Sequence, residues 1–300
     1  MAGFSVGALL QQSPLLVDAA TLAGISARDP DASARLARVE LTEIAYASDG
    51  LKVCGVLARP KDAGAYPCVI YNRGGNRESG AITPEDAAEH LARIADWGYI
   101  VVAGQYRGNA GGDGADEFGG ADVADVLNLI PLLDGLTGAD ARRIGMWGWS
   151  RGGLMTYQAL ARTNRISAAI VISGIADAFD YMERRADMEL VFGELIPGYA
   201  QHRDAELAAR SPIVWIEQLC KRTPILLLHG GADWRVHPTQ ALRMAAALYQ
   251  HQHPFRLVFF EGADHALAEH RAEVLRLCRD WLDRYVRDQQ PWPSLEPHGT

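Results

Sequence analysis

Three short segments carry residue types that could do covalent chemistry. Gly148-Trp149-Ser150-Arg151-Gly152-Gly153 sets a hydroxyl between an apolar run, residues 144–148, and a helical pattern, residues 154–162. A serine on so sharp a strand-to-helix turn sits in strained backbone, and its neighbours must lack a Cβ for the two elements to approach. The backbone N–H of Arg151, at the start of the new helix, then faces negative charge developing on a substrate oxygen. A hydroxyl is a poor nucleophile until a base removes its proton. Chains with this turn carry an acid and then a histidine further on. Leu228-His229-Gly230-Gly231-Ala232-Asp233 and Glu261-Gly262-Ala263-Asp264-His265 supply both, each just past an apolar run. Ser150, Asp233 and His265 are therefore the candidate nucleophile, orienting acid and base. His229, His237 and His270 compete with His265; Asp264, Asp177 and Asp180 compete with Asp233.

A fourth segment, Asn72-Arg73-Gly74-Gly75-Asn76, follows another apolar run. Its glycines let a backbone N–H come close to a substrate oxygen, so Gly74 or Gly75 is the expected second oxyanion donor beside Arg151. Arg73, Trp149, Tyr106 and Arg107 are candidate substrate contacts. The glycines after Tyr106-Arg107-Gly108 lack the complete phosphate-loop pattern. The acids Asp113, Asp116, Glu117, Asp122 and Asp125 do not fit calcium-loop spacing and read as a solvated loop and helix start. No metal and no cofactor is expected.

The elements that must position these residues alternate. Short apolar runs near residues 41–47, 51–58, 68–72, 99–103, 144–148, 168–172, 225–229 and 257–261 read as strands. Ser48-Asp49-Gly50 joins the first two as a hairpin. The others, separated by helical stretches, predict a mostly parallel eight-stranded sheet with helices on both faces. Thr83-Pro84-Glu85-Asp86 is a helix start. Val274, Leu277, Cys278, Trp281, Leu282 and Tyr285 form one apolar helical stripe. Residues 1–39 read as an N-terminal helical extension, 40–288 as the catalytic domain and 289–300 as a flexible tail. Residues 176–219 form a small helical insertion after the sixth strand, placed where a lid could sit.

Composition narrows the alternatives. The 300-residue chain has 29 basic and 37 acidic residues, a formal net charge of −8. No basic stripe marks a nucleic-acid partner, and no apolar run is long enough to span a membrane. Cys54, Cys68, Cys220 and Cys278 lie far apart and read as buried free thiols. Residues 1–16 lack a basic stretch leading a sustained apolar one, so a cytoplasmic location is expected. The expected partner is a small-molecule or short-peptide substrate, with a homo-oligomer open.

Taken together these segments resemble the catalytic domain of the prolyl oligopeptidase family of serine peptidases. The match runs over about residues 40 to 286. It is carried by Ser48-Asp49-Gly50 with Ala58-Arg59-Pro60, by Tyr66-Pro67 leading to Arg73-Gly74-Gly75, and by Gly98-Tyr99-Ile100-Val101-Val102 with Tyr106-Arg107-Gly108. The Ser150 turn, Leu228-His229-Gly230 through Asp233 and Val236, and Gly262 to His265 complete it. The resemblance implies an α/β-hydrolase fold and cleavage of a peptide, amide or ester bond through an acyl-enzyme on Ser150, with Asp233 and His265 as acid and base. The family's larger peptidases carry a β-propeller, for which this chain is too short. Arg73 stands where many relatives have a histidine or tyrosine. A carboxylesterase or other acyl hydrolase is the alternative, and a non-enzymatic ligand-binding version of the fold a more distant one.

Overall fold

The computed structural model describes residues 5–299. It contains a nine-stranded, mostly parallel sheet with helices, one strand more than expected. The chain divides into two compact units, Met1–Ile144 and Gly145–Thr300.

In the first unit, β1 (Leu9–Pro14) pairs antiparallel with β2 (Val39–Ser48), and β2 with β3 (Leu51–Pro60). Asp49 and Gly50 make the predicted hairpin, both with positive φ, 51° and 82°, the conformation of the tight turn that matches strand twist. β3 then pairs antiparallel with β5 (Ile100–Gly104), and β5 parallel with β4 (Tyr66–Asn72). β1 corrects the reading of residues 1–39 as helical throughout: a strand comes first, then the helices Ala19–Arg28 and Ala32–Arg38. Nearly every β1 side chain is exposed, so the strand is held by backbone bonding to an edge and carries no apolar alternation to reveal it. Thr83 opens its helix as predicted, accepting from Asp86 N–H at 3.2 Å while Asp86 accepts from Thr83 N–H at 3.0 Å. That reciprocal cap satisfies two donors no helical turn can reach.

β6 (Ala139–Trp149) leads into the second unit, where β7 (Ile166–Ile172), β8 (Ile225–Gly230) and β9 (Phe255–Phe260) pair in parallel. Every residue of β8 is buried, as a strand covered on both faces requires. Between β7 and β8 the expected insertion folds as the helices Ala178–Arg184, Met188–Leu195 and Tyr199–Ala209 and two short 3₁₀ turns. The added β1 makes its host strand the seventh. The stripe on the last helix buries Val274, Cys278, Trp281, Leu282 and Tyr285. All four cysteines are free thiols, but only Cys68 and Cys278 are buried; Cys54 and Cys220 are half-buried. Among the described residues no helix is long and apolar enough to cross a membrane.

Candidate active site

Ser150 stands alone between β6 and the helix Arg151–Leu160, with φ 57° and ψ −123°, a backbone state that costs a non-glycine residue roughly 1–3 kcal/mol. Two bonds hold it there: its N–H donates to Ile172 O at 2.9 Å, and its carbonyl accepts from Gly153 N–H at 2.9 Å. The glycines are steric necessities. A Cβ on Gly148 would press on Gly152 O and the Thr156 hydroxyl, and one on Gly153 would sit 2.7 Å from Gly174 Cα and 2.8 Å from Val171 Cγ1. Arg151 is the first residue of the helix, so its N–H points out of the helical ladder.

The acid and histidine loops are stitched together beyond the strand ends. Gly231 N–H donates to Phe260 O at 2.7 Å and Ala232 N–H to Ala263 O at 2.9 Å. Gly230 has no room for a side chain, since a Cβ there would meet the carbonyls of Ala263 and Asp264. This close approach sets Asp233 opposite His265, whose Nδ1 lies 2.7 Å from Asp233 Oδ2. The other oxygen, Oδ1, accepts the N–H groups of Arg235 at 2.9 Å and Val236 at 3.0 Å. The Asp233 side chain has no exposed surface. Burial pushes its pKa up, but the facing N–H of His229, the bond from His265, the nearby His265 ring and the Val236 N–H outweigh it and hold the carboxyl well below the usual range.

His265 is steered from three sides. The indole ring of Trp149 stacks on it, and Trp149 Nε1–H donates to its carbonyl at 3.2 Å. The hydroxyl of Ser173 donates to the same carbonyl at 3.1 Å. Ser150 and His265 are both half-buried. Ser150 Oγ makes no hydrogen bond to His265 among the described residues; Trp149, its chain neighbour, provides the link.

The competing residues have other partners. Asp264 accepts from Ala266 N–H at 2.9 Å. Asp177 caps the helix Ala178–Arg184 and pairs with Arg243, and Asp180 takes bonds from Gln240, Thr239 and Arg184. His237 bonds Thr239, and His270 packs its ring on Phe260. His229 is different: its Nε2 lies 3.3 Å from Asp233 Oδ2. From the sequence it was a rival for His265, whereas here it is a second imidazole on the same carboxylate. Ser173 was not anticipated, although it follows an apolar run as the other site residues do.

The remaining candidates belong to the first unit and have structural partners there. Arg73 is buried, and its guanidinium donates to the carbonyls of Gln105, Gly74, Ser79 and Arg77 while lying 5.1 Å from the centre of the Tyr106 ring. Tyr106 OH donates to Arg73 O at 2.9 Å. These two residues fix the shape of the loop holding Gly74 and Gly75, the latter with φ 68°. Arg107 is buried against Asp125, with Nη2 2.8 Å from Oδ1 and the Arg107 N–H 2.7 Å from Oδ2. The acidic segment also departs from expectation. Asp116, Asp122 and Asp125 are buried, because backbone N–H groups and Arg107 replace the water they would lose.

The family model described as the prolyl oligopeptidase family matches residues 87–289. The chain belongs to that family of serine peptidases. An uncharacterized peptidase, YtmA, of Bacillus subtilis (strain 168) is 28% identical over 246 residues, covering 81% of this chain and 93% of the relative. Among solved structures, an acylaminoacyl peptidase bound to Z-Gly-Gly-Phe-chloromethyl ketone superposes with TM-score 0.72 at 23% identity, over 86% of this chain and 43% of that one. A puromycin-hydrolyzing peptidase of Mycobacterium tuberculosis gives TM-score 0.70 at 25% identity, over 81% and 39%. The chain thus spans less than half the length of these two solved chains and shares their α/β-hydrolase fold.

Proposed function

We propose that this chain hydrolyses peptide or amide bonds through an acyl-enzyme on Ser150. The observation that carries the reading is the 2.7 Å bond from His265 Nδ1 to a fully buried Asp233 carboxylate, beside a serine on a strained strand-to-helix turn. With the proton on Nδ1 and donated to Asp233, Nε2 is the basic nitrogen and the one left to face a substrate.

The chemistry follows from that tautomer. Ser150 Oγ forms a bond to the substrate carbonyl carbon as His265 Nε2 takes the hydroxyl proton, and the carbonyl π electrons move onto oxygen. The Arg151 N–H stabilises that oxyanion; one such donor is worth about 3–4 kcal/mol. The C–N bond then breaks, and Nε2–H protonates the departing amine. Water repeats the cycle on the ester to release the acid. A hydrogen bond from Ser150 Oγ to Nε2 forms when substrate fills the site, as catalytic contacts do. Short peptides or aminoacyl amides are the proposed substrates, supported by the peptidases the chain resembles.

The test is a fluorophosphonate label mapped by peptide sequencing, with a panel of aminoacyl nitroanilides and short nitrophenyl esters as substrates. Label on Ser150 and loss of about a million-fold in kcat for Ser150→Ala are expected. Undiminished turnover by Ser150→Ala would refute the reading, and turnover of esters alone would move the substrate class away from amides.

A further inference from the structure

We infer that His229 is a positioning residue for the proposed Asp233–His265 pair, closing a ring of polar contacts that fixes the carboxylate. The inference rests on the triad reading above and adds to it a group that reading does not use.

The ring has three members. Val236 N–H donates to Asp233 Oδ1 at 3.0 Å, His229 Nε2 lies 2.8 Å from Val236 O, and the same Nε2 lies 3.3 Å from Asp233 Oδ2. Nε2 faces two acceptors, so it carries the proton, donates it to Val236 O and turns the positive edge of its N–H toward Oδ2. Asp233 therefore accepts three hydrogen bonds, two on Oδ1 and one on Oδ2, and His229 Nε2 adds a close polar contact on Oδ2. It cannot rotate about its Cβ–Cγ bond without breaking several of them at once.

The other face of His229 makes the functional argument. The residue is 1% exposed on β8, and its Nδ1 has no hydrogen-bond partner among the described residues. A buried polar atom left unmet destabilises the fold. A leucine would fill the same interior position with no such cost. The contacts that answer for an imidazole here are those to Asp233 and Val236.

Two consequences follow for the reaction. A fixed carboxylate fixes the plane of His265, and displacement of a reacting group by an ångström can cost about 100-fold in rate. The His229 donor also drains charge from the carboxylate, so Asp233 stabilises a protonated His265 less than it would alone. The other charged or titratable groups that interact with Asp233 are the Tyr181 phenol and the Arg185 guanidinium; Arg235 meets it through its backbone N–H, with its guanidinium over the Trp234 ring. All of them stay in place when only position 229 changes.

The experiment compares His229→Leu and His229→Gln in the full chain, with kcat and KM on an aminoacyl nitroanilide from about pH 5 to 9 and circular dichroism as the fold control. A glutamine amide nitrogen can reach the position of Nε2; a leucine cannot donate. For His229→Leu we expect kcat to fall about 10–100-fold with KM within about twofold, and the acid limb of kcat/KM to move to higher pH. His229→Gln should recover kcat to within about threefold of the parent and restore the limb. Parental kcat and pH profile in His229→Leu would overturn the inference. Equal impairment of both variants with an unmoved limb would also overturn it, leaving His229 a packing residue. Should His229→Leu not fold, His229→Asn takes its place: its shorter amide falls short of Nε2, and activity equal to that of His229→Gln would count against us. Fluorophosphonate labelling of parental Ser150 separates the two claims. If Ser150 labels and the His229 variants behave as the parent, only the ring fails; if Ser150 neither labels nor matters, the triad fails and takes the ring with it.

Discussion

Trp149 and His265 lie face to face, ring centroids 5.7 Å apart and planes inclined by 28°, while the indole N–H donates to the carbonyl of the same histidine. The residue preceding Ser150 thus sets both the ring and the backbone of the proposed base. An aromatic stack and a hydrogen bond are each worth about 0.5–1.5 kcal/mol. If most of that holds the reactive geometry, Trp149→Ala should lower kcat roughly 10–100-fold. Trp149→Phe keeps a ring and loses the donor, so it should fall between Trp149→Ala and the parent. Steady-state kinetics on a nitroanilide decide it, and full kcat in Trp149→Ala would show that His265 needs no such support.

Replacing the acid should cost far more. Asp233→Asn exchanges an oxygen that accepts for an NH₂ that donates, so the N–H groups that face that oxygen are opposed. If the His265 tautomer flips in response, Nε2 carries the proton and cannot act as base. A loss of about 10⁴-fold in kcat is expected with the fold retained. A loss below about tenfold would point to another acid.

The pH dependence follows from the same group. The folded-state pKa of Asp233 lies below that of a free carboxyl. Its contribution to stability is therefore complete above the unfolded value, about pH 4, and is lost as pH falls through the lower folded value. A decline in kcat/KM between pH 8 and 5 must then come from an imidazole. We expect a single acid limb in that window, abolished along with turnover in His265→Ala. A flat profile from about pH 5 to 8 would remove histidine as the base.

How much of this could be read from the chain depends on how local the cause is. The Ser150 turn was legible because its glycines answer to sterics within a few residues. The hairpin at Asp49-Gly50 and the cap at Thr83 were legible for the same reason. β1 was hidden: an exposed edge strand needs no apolar alternation. Asp125 read as a solvated acid because the groups that bury it, Ser48 and Arg107, are 77 and 18 residues away. Arg73 read as a substrate contact because nothing local announces that carbonyls such as Gln105 O will absorb its donors. His229 could be seen near Asp233 in the chain, but the geometry that puts its Nε2 on the carboxylate arises from the turn through Val236.

The steric claim for the elbow can be tested apart from catalysis. Gly153→Ala places a methyl against backbone at Gly174 and a methyl of Val171, both closer than 3 Å. Overpacking of that kind costs about 1–3 kcal/mol, which urea unfolding will register as a lower midpoint. Val171→Ala removes one of the two obstacles. The double variant should therefore lose less stability than the two single losses added together. Simple additivity would mean that Val171 is not what resists the methyl.

His253 offers a pH test of stability away from the site. It is 2% exposed just before β9, and its Nε2 lies 2.9 Å from Thr223 O. Burial, reinforced by Lys221 and opposed by the bond to Thr223, pushes its pKa from 6.5 down to about 4. Between those values the unfolded chain binds a proton that the folded chain refuses. Stability is therefore complete above pH 6.5 and drains away as pH falls towards about 4. Each unit of difference corresponds to about 1.4 kcal/mol, so this residue alone should remove about 3 kcal/mol across the window. His253→Gln keeps a donor for Thr223 and cannot take up a proton. Its urea midpoint should depend less steeply on pH than the parent's between pH 7 and 5. Parallel pH dependence in the two proteins would show that His253 titrates in the folded state much as it does in the unfolded chain.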